Sequence, residues 1–387
     1  MGATLHNNYF VPSYPDRGIT FVGGDGQYLI EKNGTKYLDF GSNYGVSIFG
    51  YNHPRITRAL EDQLHRLVSL HGSFGSDIRE EAARAVVERC GGKTSRVFFS
   101  NSGSEAVEAA LKFAKVSTGK SHFVAFDRSY HGKTLGSLSA TSGEKYRQAF
   151  EPLLWRFTHI PMDDKKSLDQ AISRETAAII IEPVQGEGGL YAAGREYLGY
   201  LQKICTKKNI ILIVDEIQCG TGRTGTFLAS TPYGLTPDIV CLGKGIAGGI
   251  PVGVTLVSES IAGSIPLHLH TSTFGGNPLT SAGIVAVLKE FEDTALLSHI
   301  QDTGMYFLKQ LKTLSHPSIL DVRGAGLMLG IKLRDNVTPV LKALQEHRII
   351  AIPAGSHIVR FLPPYIVAKK DVDTVISALK EIFGQLR

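Results

Sequence analysis

Two uninterrupted apolar runs constrain the fold of this 387-residue chain more than any other feature. The run at 210–214 reads Ile-Ile-Leu-Ile-Val and is followed by Asp215, and the run at 238–242 reads Asp-Ile-Val-Cys-Leu and is followed by Gly243 and Lys244. Short runs of this kind, rich in β-branched residues and without polar alternation, are typical of parallel strands that are covered on both faces. The sequence therefore predicts an α/β fold with a sheet between two layers of helices.

The ends of these two runs place an acid and an amine in one predicted pocket. Residues just past the carboxyl ends of the strands of an open α/β sheet face the ligand crevice. An enzyme that uses pyridoxal phosphate needs a lysine that bonds to the cofactor's aldehyde and an acid beside its pyridinium nitrogen. Lys244 and Asp215 therefore predict a pyridoxal phosphate site, with both residues catalytic.

Helical and strand patterns alternate over most of the chain, which predicts a doubly wound large domain. We expect this domain at 51–270 and a smaller α+β domain built from both ends of the chain, 1–50 and 271–387. Two or three short strands are expected within 14–45 and one or more helices within 278–312. The remaining predicted helices are 54–70, 77–90, 103–116, 194–208 and 370–385, and the remaining predicted strands are 95–99, 122–126, 177–182, 210–214, 238–242, 252–257, 327–333 and 358–362.

Composition excludes several classes of function. The net charge is +5, yet no basic run exceeds a Lys-Lys pair, so we expect no nucleic-acid partner. No apolar run reaches membrane-spanning length, and the amino terminus lacks the pattern of a signal peptide. The four cysteines form no CxxC pair and are expected to be reduced. These features predict a cytoplasmic protein without a membrane contact, and the mildly basic charge is compatible with an acidic substrate or partner.

Three motifs have more than one reading. The segment Ser102–Glu105 has a capping-box pattern at a predicted helix start; it is either an ordinary helix cap or an anion site for the cofactor phosphate. The segment 114–121 nearly matches a P-loop, but it follows a helix and precedes a strand, which is the reverse of the order that an ATPase requires. His268 and His270 lack a third ligand, so no metal site is expected.

Further motifs follow one another along the chain. In chain order they are FFSNSGSEAVEAALK (98–112), SYHGKTLGSLSAT (129–141), IIIEPVQGEGG (179–189), ILIVDEIQCGTGRTG (211–225), PDIVCLGKGIAGGIPVG (237–253), TSTFGGNP (271–278) and VRGAGLMLGI (322–331). With these segments the chain resembles the class III, fold-type I aminotransferases, which depend on pyridoxal phosphate. Within that family it is most similar to the acetylornithine aminotransferases, and 349–367 is similar to enzymes that act on lysine or ornithine precursors bound to a carrier protein. The resemblance implies a mostly parallel seven-stranded sheet and a homodimer.

The resemblance also implies a role for each residue around the cofactor. Lys244 would bond to the cofactor and Asp215 would face its ring nitrogen, while Gln218 would contact its phenolic oxygen. The other implied cofactor contacts are Ser102, Gly103 and Ser104 at the phosphate, Tyr130 stacked on the ring, and Thr273 reaching the phosphate from the neighbouring subunit.

On the substrate side, Arg360 would bind a carboxylate of 2-oxoglutarate, with Glu187 as its competing partner, and Tyr14 would touch the amino donor. The implied reaction moves the terminal amino group of an N-acylated ornithine or lysine derivative to 2-oxoglutarate, giving a semialdehyde and glutamate. An acidic amino-group carrier protein is an expected partner. Lys133 stands where acetylornithine-type enzymes usually have arginine, so it departs from the family's pattern.

Several alternatives stay open at this point. Segments with lysine at position 133 also occur in diamine aminotransferases of the putrescine type, whose substrate has no carboxylate. Aminomutases, epimerases and decarboxylases of the same scaffold share the residues that correspond to Lys244 and Asp215. A cofactor-binding regulator would carry a DNA-binding domain, and we expect none within these 387 residues.

Overall fold

The computed structural model describes residues 9–386. Its strands are β1 (Phe21–Asp25), β2 (Tyr28–Glu31), β3 (Lys36–Asp39), β4 (Thr94–Ser100), β5 (His122–Phe126), β6 (Arg156–Ile160), β7 (Thr176–Ile181), β8 (Val184–Gln185), β9 (Tyr191–Ala192), β10 (Ile211–Asp215), β11 (Ile239–Gly243), β12 (Gly253–Ser258), β13 (Ile319–Ala325), β14 (Met328–Leu333), β15 (Ile349–Ile350), β16 (Ile352–Ala354) and β17 (Ile358–Phe361). Its helices are α1 (Ser42–Gly45), α2 (Pro54–Leu64), α3 (Asp77–Cys90), α4 (Gly103–Thr118), α5 (Leu135–Ala140), α6 (Glu144–Arg147), α7 (Lys165–Ala171), α8 (Arg195–Lys208), α9 (Glu259–Gly263), α10 (Pro278–Glu290), α11 (Thr294–Leu311), α12 (Thr338–Glu346) and α13 (Lys369–Gln385).

The largest sheet has seven strands in the order β4-β12-β11-β10-β7-β5-β6. Strand β12 runs antiparallel to both of its neighbours, and the other pairs are parallel. The two strands predicted to end at the pocket, β10 and β11, lie side by side, with Asp215 opposite Cys241. The predicted α/β fold with a mostly parallel seven-stranded sheet is confirmed.

Both faces of this sheet are covered, because alternate residues of each strand point to opposite sides. Ile211 and Ile213 of β10 pack into an apolar cluster with helix α4. Leu212 and Val214 of the same strand pack into a second cluster with helix α8. This double burial explains why the strand sequence is apolar at every position.

Two four-stranded sheets lie outside the large sheet, in the orders β1-β2-β3-β15 and β13-β14-β17-β16. The first sheet joins the two ends of the chain, because β3 pairs in parallel with β15, with Leu38 opposite Ile349. The second sheet contains β17, which carries Arg360. The domain boundaries at residues 50 and 270 stay a prediction.

The elements differ from expectation where local sequence is ambiguous. Strand β6 was not predicted; it pairs only with β5 at the sheet edge, where alternating polar residues replace the apolar run. The helix predicted at 54–70 ends at Leu64, and the Gln63 side chain donates to the carbonyl oxygen of Leu67 at 2.7 Å in the turn that follows. The region 278–312 forms two helices because Asp293 caps the start of α11.

Within 9–386, no helix is long and apolar enough to cross a membrane.

Candidate active site

One cavity at the carboxyl edge of the large sheet collects most of the predicted site residues. Its lining is drawn from five places: the start of α4, the loop after β5, the end of β7, the hairpin of β8 and β9, and the ends of β10 and β11. The predicted residues that line it are Ser102, Gly103, Ser104, Tyr130, Glu187, Asp215, Gln218 and Lys244, and it is also lined by His131, Gly132, Glu182 and Ile217. The edge of the sheet therefore brings together residues that lie up to 142 positions apart, from Ser102 to Lys244.

The start of helix α4 forms an anion site on one side of the cavity. The Ser102 hydroxyl accepts the N–H of Glu105 at 3.2 Å, as the capping pattern predicts. The Glu105 carboxylate accepts the N–H of Asn101 at 2.5 Å, so the reciprocal bond of a capping box falls one residue earlier than expected. The first N–H groups of the helix, at Gly103 and Ser104, have no intrahelical acceptor and favour a phosphate.

Asp215 is 3% exposed and is held by two hydrogen bonds on the floor of the cavity. Its Oδ2 accepts from Nδ1 of His131 at 2.7 Å, and its Oδ1 accepts the N–H of Ile217 at 3.0 Å. The adjacent Glu216 points away from the cavity and accepts the N–H groups of Ala229 and Ser230, both at 2.8 Å. Successive residues at the end of one strand thus have different environments, and burial raises the pKa of the Glu216 carboxyl.

His131 and Glu182 line the cavity, although neither was among the site residues that the sequence predicted. Both lie within quoted motifs, but only their contacts reveal a role. The Glu182 carboxylate accepts the N–H of Tyr130 at 2.9 Å and the N–H of Gly186 at 3.0 Å, which ties the Tyr130 loop to the β8–β9 hairpin. Burial raises the pKa of Glu182, and the nearby His131 partly opposes that shift.

Lys244 follows β11 and adopts a left-handed backbone with φ of 50°. Its flanking glycines allow close packing: a Cβ on Gly245 would come within 2.5 Å of Cγ2 of Ile48. Burial lowers the pKa of Lys244 to about 8, an effect that the carboxylates of Glu187 and Asp215 partly counter. About a tenth of the amine is therefore uncharged at pH 7, far more than for an ordinary lysine.

Arg360 is fully buried beside the cavity and pairs with two of the predicted residues. Its Nη2 lies 2.6 Å from Oε1 of Glu187, and its Nη1 donates to Oε1 of Gln218 at 2.8 Å. Gly186 is needed for this arrangement, because a Cβ there would lie 1.9 Å from the same Gln218 oxygen. The guanidinium also lies 5.3 Å from the ring centroid of Tyr44, a residue that was not predicted.

Tyr44 reaches Arg360 from an unusual turn. Ser42, Asn43, Tyr44 and Gly45 all have positive φ, from 46° to 85°, so helix α1 is in fact a left-handed turn. Asp39 supports it by accepting the N–H groups of Gly41 at 2.8 Å and Ser42 at 2.9 Å. Sequence patterns give little warning of this geometry, because consecutive left-handed residues other than glycine are rare.

Besides Arg360, which lies beside the cavity, three predicted residues do not line it within residues 9–386. Lys133 is exposed near the mouth, with its Nζ 6.0 Å from the ring centroid of Tyr146. The ring centroids of Tyr146 and Tyr130 are 5.7 Å apart. Tyr14 is 89% exposed, and Thr273 is exposed as well. Their roles stay predictions.

The groups around the cavity fit pyridoxal phosphate by their chemistry. Free N–H groups at a helix start suit the phosphate, an ionisable carboxylate suits the ring nitrogen, and a lysine with a lowered pKa suits the aldehyde. The fold and the site together define a pyridoxal phosphate enzyme.

Comparison with known proteins identifies the family. The family model described as aminotransferase class-III matches residues 12–383, and the chain belongs to that family. It is therefore a pyridoxal phosphate-dependent aminotransferase.

The chain is similar to named relatives over nearly its whole length. It is 41% identical to an acetylornithine aminotransferase of Aquifex aeolicus over 380 residues, which cover 97% of this chain and 99% of that one. It is 37% identical to a LysW-aminoadipate semialdehyde/glutamate semialdehyde transaminase of Sulfurisphaera tokodaii, with 96% of each chain covered. The solved ornithine aminotransferase of Toxoplasma gondii, described with partial occupancy of pyridoxal phosphate, has a TM-score of 0.91 and 29% identity, covering 97% of this chain and 92% of that one.

Proposed function

We propose that the protein transfers the terminal amino group of an N-acylated ornithine or lysine derivative to 2-oxoglutarate, releasing a semialdehyde and glutamate. The observation that carries this proposal is the buried pair of Arg360 and Glu187, 2.6 Å apart beside the cavity. A guanidinium that has a releasable partner can serve two substrates of unlike charge in turn. The names of the relatives from Aquifex aeolicus and Sulfurisphaera tokodaii support the choice of donor.

In the donor half of the reaction, Lys244 and Asp215 do different work. The bound cofactor supplies an electron sink for the carbon that bears the amine. The Lys244 Nζ would take the proton from that carbon as a general base and would pass it to the cofactor as a general acid. The Asp215 carboxylate, oriented by the 2.7 Å hydrogen bond from His131, would hold the proton on the ring nitrogen of the cofactor.

In the acceptor half, Arg360 changes partner. The Glu187 carboxylate neutralises Arg360 while the amino donor is bound, and it withdraws when 2-oxoglutarate brings its own carboxylate. Arg360 then binds that carboxylate through two parallel N–H groups, the geometry in which arginine is strongest. Gln218 and the carbonyl oxygen of Pro353, 2.8 and 2.9 Å from the guanidinium, hold it in place throughout.

A diamine aminotransferase is the second candidate, and Lys133 is the observation that favours it. Among residues 9–386 this lysine forms no ion pair, and its ammonium lies against the Tyr146 ring. Lysine offers a carboxylate a point charge in place of the arginine fork, so donor selection at this position is weaker than in an arginine-bearing relative.

A half-reaction without any oxo acid distinguishes the two candidates. The absorbance of the bound cofactor is followed while N-acetylornithine, ornithine, lysine or putrescine is added separately. We expect the fastest conversion with N-acetylornithine. Faster conversion with putrescine would show that the protein is a diamine aminotransferase. No conversion with any of the four amines would contradict both candidates.

We also propose that the protein is a cytoplasmic homodimer whose sites are completed by Thr273 of the neighbouring subunit. Thr273 is exposed and does not line the cavity of its own chain, which supports a role across an interface. Mixing Lys244→Ala and Thr273→Ala subunits tests the idea. If Thr273 serves the other chain, a mixed dimer carries both defects in one site and has one intact site; recovery of activity supports the proposal, and its absence contradicts it.

An acidic amino-group carrier is proposed as the form in which the donor arrives. The relative from Sulfurisphaera tokodaii is named for a LysW-bound substrate, and two ammonium groups, of Lys133 and Lys145, lie over Tyr146 at the mouth. Opposite charge would speed the encounter, and salt would slow it. Comparing the salt dependence of kcat/KM for a carrier-linked donor and for free N-acetylornithine tests this, since equal dependence would contradict it.

A further inference from the structure

The hairpin that carries Glu187 is a two-stranded sheet of its own. Strands β8 and β9 pair with each other, with Gln185 opposite Tyr191, and belong to neither the seven-stranded sheet nor the two four-stranded sheets. A two-stranded hairpin is marginally stable by itself in water. The position of Glu187 at its tip must therefore be fixed by contacts with other elements.

Tyr191 makes two such contacts through its ring. The Arg128 guanidinium lies 4.5 Å from the ring centroid, and the Arg323 guanidinium lies 3.7 Å from it. Both distances are within the range of favourable cation–π contacts. Nη1 of Arg323 pairs with Oδ2 of Asp321 at 3.2 Å, while its buried Nε and Nη2 have no hydrogen-bond partner within the described residues. The Tyr191 ring is therefore the second neighbour of this cation.

The two arginines come from different parts of the fold. Arg128 lies in the loop after β5, two residues before Tyr130, and Arg323 lies on β13. Strand β13 belongs to the same sheet as β17, which carries Arg360. Tyr191 therefore links the Glu187 hairpin both to the Tyr130 loop and to the sheet that supports Arg360.

The tip of the hairpin is packed just as closely against these elements. The Gln185 side-chain amide donates to the carbonyl oxygen of Asp127 at 2.8 Å. A Cβ on Gly188 would lie 2.1 Å from the carbonyl oxygen of Arg128, and one on Gly189 would lie 2.6 Å from Cδ1 of Ile358. These contacts fix the position of the tip, and a displacement of about 1 Å would take Glu187 out of hydrogen-bond range of Arg360, from which it now lies 2.6 Å away.

We propose that Arg128, Tyr191 and Arg323 are positioning residues that hold Glu187 against Arg360 and so set the balance between the two half-reactions. The proposal rests on the proposed function, in which Glu187 and a substrate carboxylate compete for Arg360. Loosening the hairpin weakens the ion pair between Glu187 and Arg360. It therefore favours the dicarboxylate acceptor and disfavours the amino donor.

The decisive variant is Tyr191→Leu, which keeps an apolar side chain but removes the ring. We expect the concentration of 2-oxoglutarate that half-saturates its half-reaction to fall about tenfold, which equals about 1.4 kcal/mol, while that of the amino donor rises. Glutarate, an unreactive dicarboxylate, should bind the holoenzyme more tightly by a similar factor in calorimetry. Tyr191→Phe should behave as the wild type, because the Tyr191 hydroxyl forms no hydrogen bond within the described residues.

Two further variants serve as controls. Tyr200→Leu removes another ring that a cation contacts, with Lys165 Nζ at 5.5 Å, but on α8 away from the hairpin, and should leave both half-reactions unchanged. If Tyr191→Leu does not fold, Arg128→Asn removes one cation at a position with φ of 65°, which asparagine tolerates, and should shift the half-reactions in the same directions.

The outcomes separate the two proposals. If Arg360→Lys weakens 2-oxoglutarate and glutarate while Tyr191→Leu changes neither half-reaction, or changes both in the same direction, the positioning role is wrong and the proposed function stands. If Arg360→Lys leaves both dicarboxylates unaffected, the proposed function itself is wrong. Opposite shifts in Tyr191→Leu, restored in Tyr191→Phe, support the positioning role.

Discussion

At the floor of the cavity, Asp215 and His131 are buried and joined by a 2.7 Å hydrogen bond, while at its mouth Lys133 and Tyr14 are exposed to solvent. The floor is built at strand ends, where the backbone fixes each side chain. The mouth is built from loops, where a side chain can change without disturbing the core. We infer that residues at the strand ends determine the type of reaction, and we propose that a few exposed side chains select the donor.

The largest expected effect comes from removing the amine at the floor. Lys244→Ala takes away both the covalent anchor and the proton carrier, so turnover should fall by about a thousandfold or more. Steady-state assays measure this directly. Lys207→Ala, an exposed lysine of α8, is the control and should retain full activity. Normal turnover by Lys244→Ala would show that the floor does not carry the reaction.

Chemical labelling can measure how far the pKa of the buried Lys244 lies below the ordinary value for lysine. Because burial lowers the pKa of Lys244 from the ordinary 10.5 to about 8, a difference of 10.5 − 8 = 2.5 pH units, its uncharged fraction at pH 7 should be about 300 times larger. The rate at which acetic anhydride labels Lys244 in the cofactor-free protein should rise with pH through about 8. Mass spectrometry measures the labelling, and a midpoint near 10.5 would contradict the prediction.

Asp215 and the adjacent Glu216 test whether a carboxylate must face the cavity to act in the reaction. Asp215→Asn should keep the cofactor bound but lower kcat about a hundredfold, because the charge opposite the ring nitrogen is lost. Glu216→Gln should leave kcat near the wild-type value and reduce the free energy of unfolding by about 1–3 kcal/mol, because the carboxylate that accepts two buried N–H groups is replaced. Activity assays combined with thermal unfolding measure both effects. Normal kcat in Asp215→Asn together with a large loss of kcat in Glu216→Gln would refute the prediction.

The smallest effect is expected at the mouth. Lys133→Arg restores a fork that can bind a carboxylate through two N–H groups, so the preference for N-acetylornithine over putrescine should rise about tenfold. Lys145→Arg is a matched control, because that ammonium lies 4.6 Å from the same Tyr146 ring. A change of preference in Lys145→Arg alone would show that the predicted contact was assigned to the wrong lysine.

The sequence predicted the floor better than the mouth for a physical reason. Strands that are buried on both faces are apolar throughout, so β10 and β11 and the residues that follow them could be located within a residue or two. The edge strand β6 and the left-handed turn at Ser42–Gly45 carry no such pattern and were missed. His131, Glu182 and Tyr44 act through contacts between distant segments, which local patterns do not record.

The pairing of β3 with β15 has a consequence for how the chain is made. Leu38 finds its partner Ile349 only after 349 − 38 = 311 further residues have been added. When the chain is synthesised at about 5–20 residues per second, that edge of β3 stays unpaired for on the order of 15–60 s. An unpaired strand edge is a template for aggregation, so β3 is exposed to that risk until β15 has been made. Shortening the carboxyl-terminal segment should therefore reduce the yield of soluble protein even when the catalytic floor is complete.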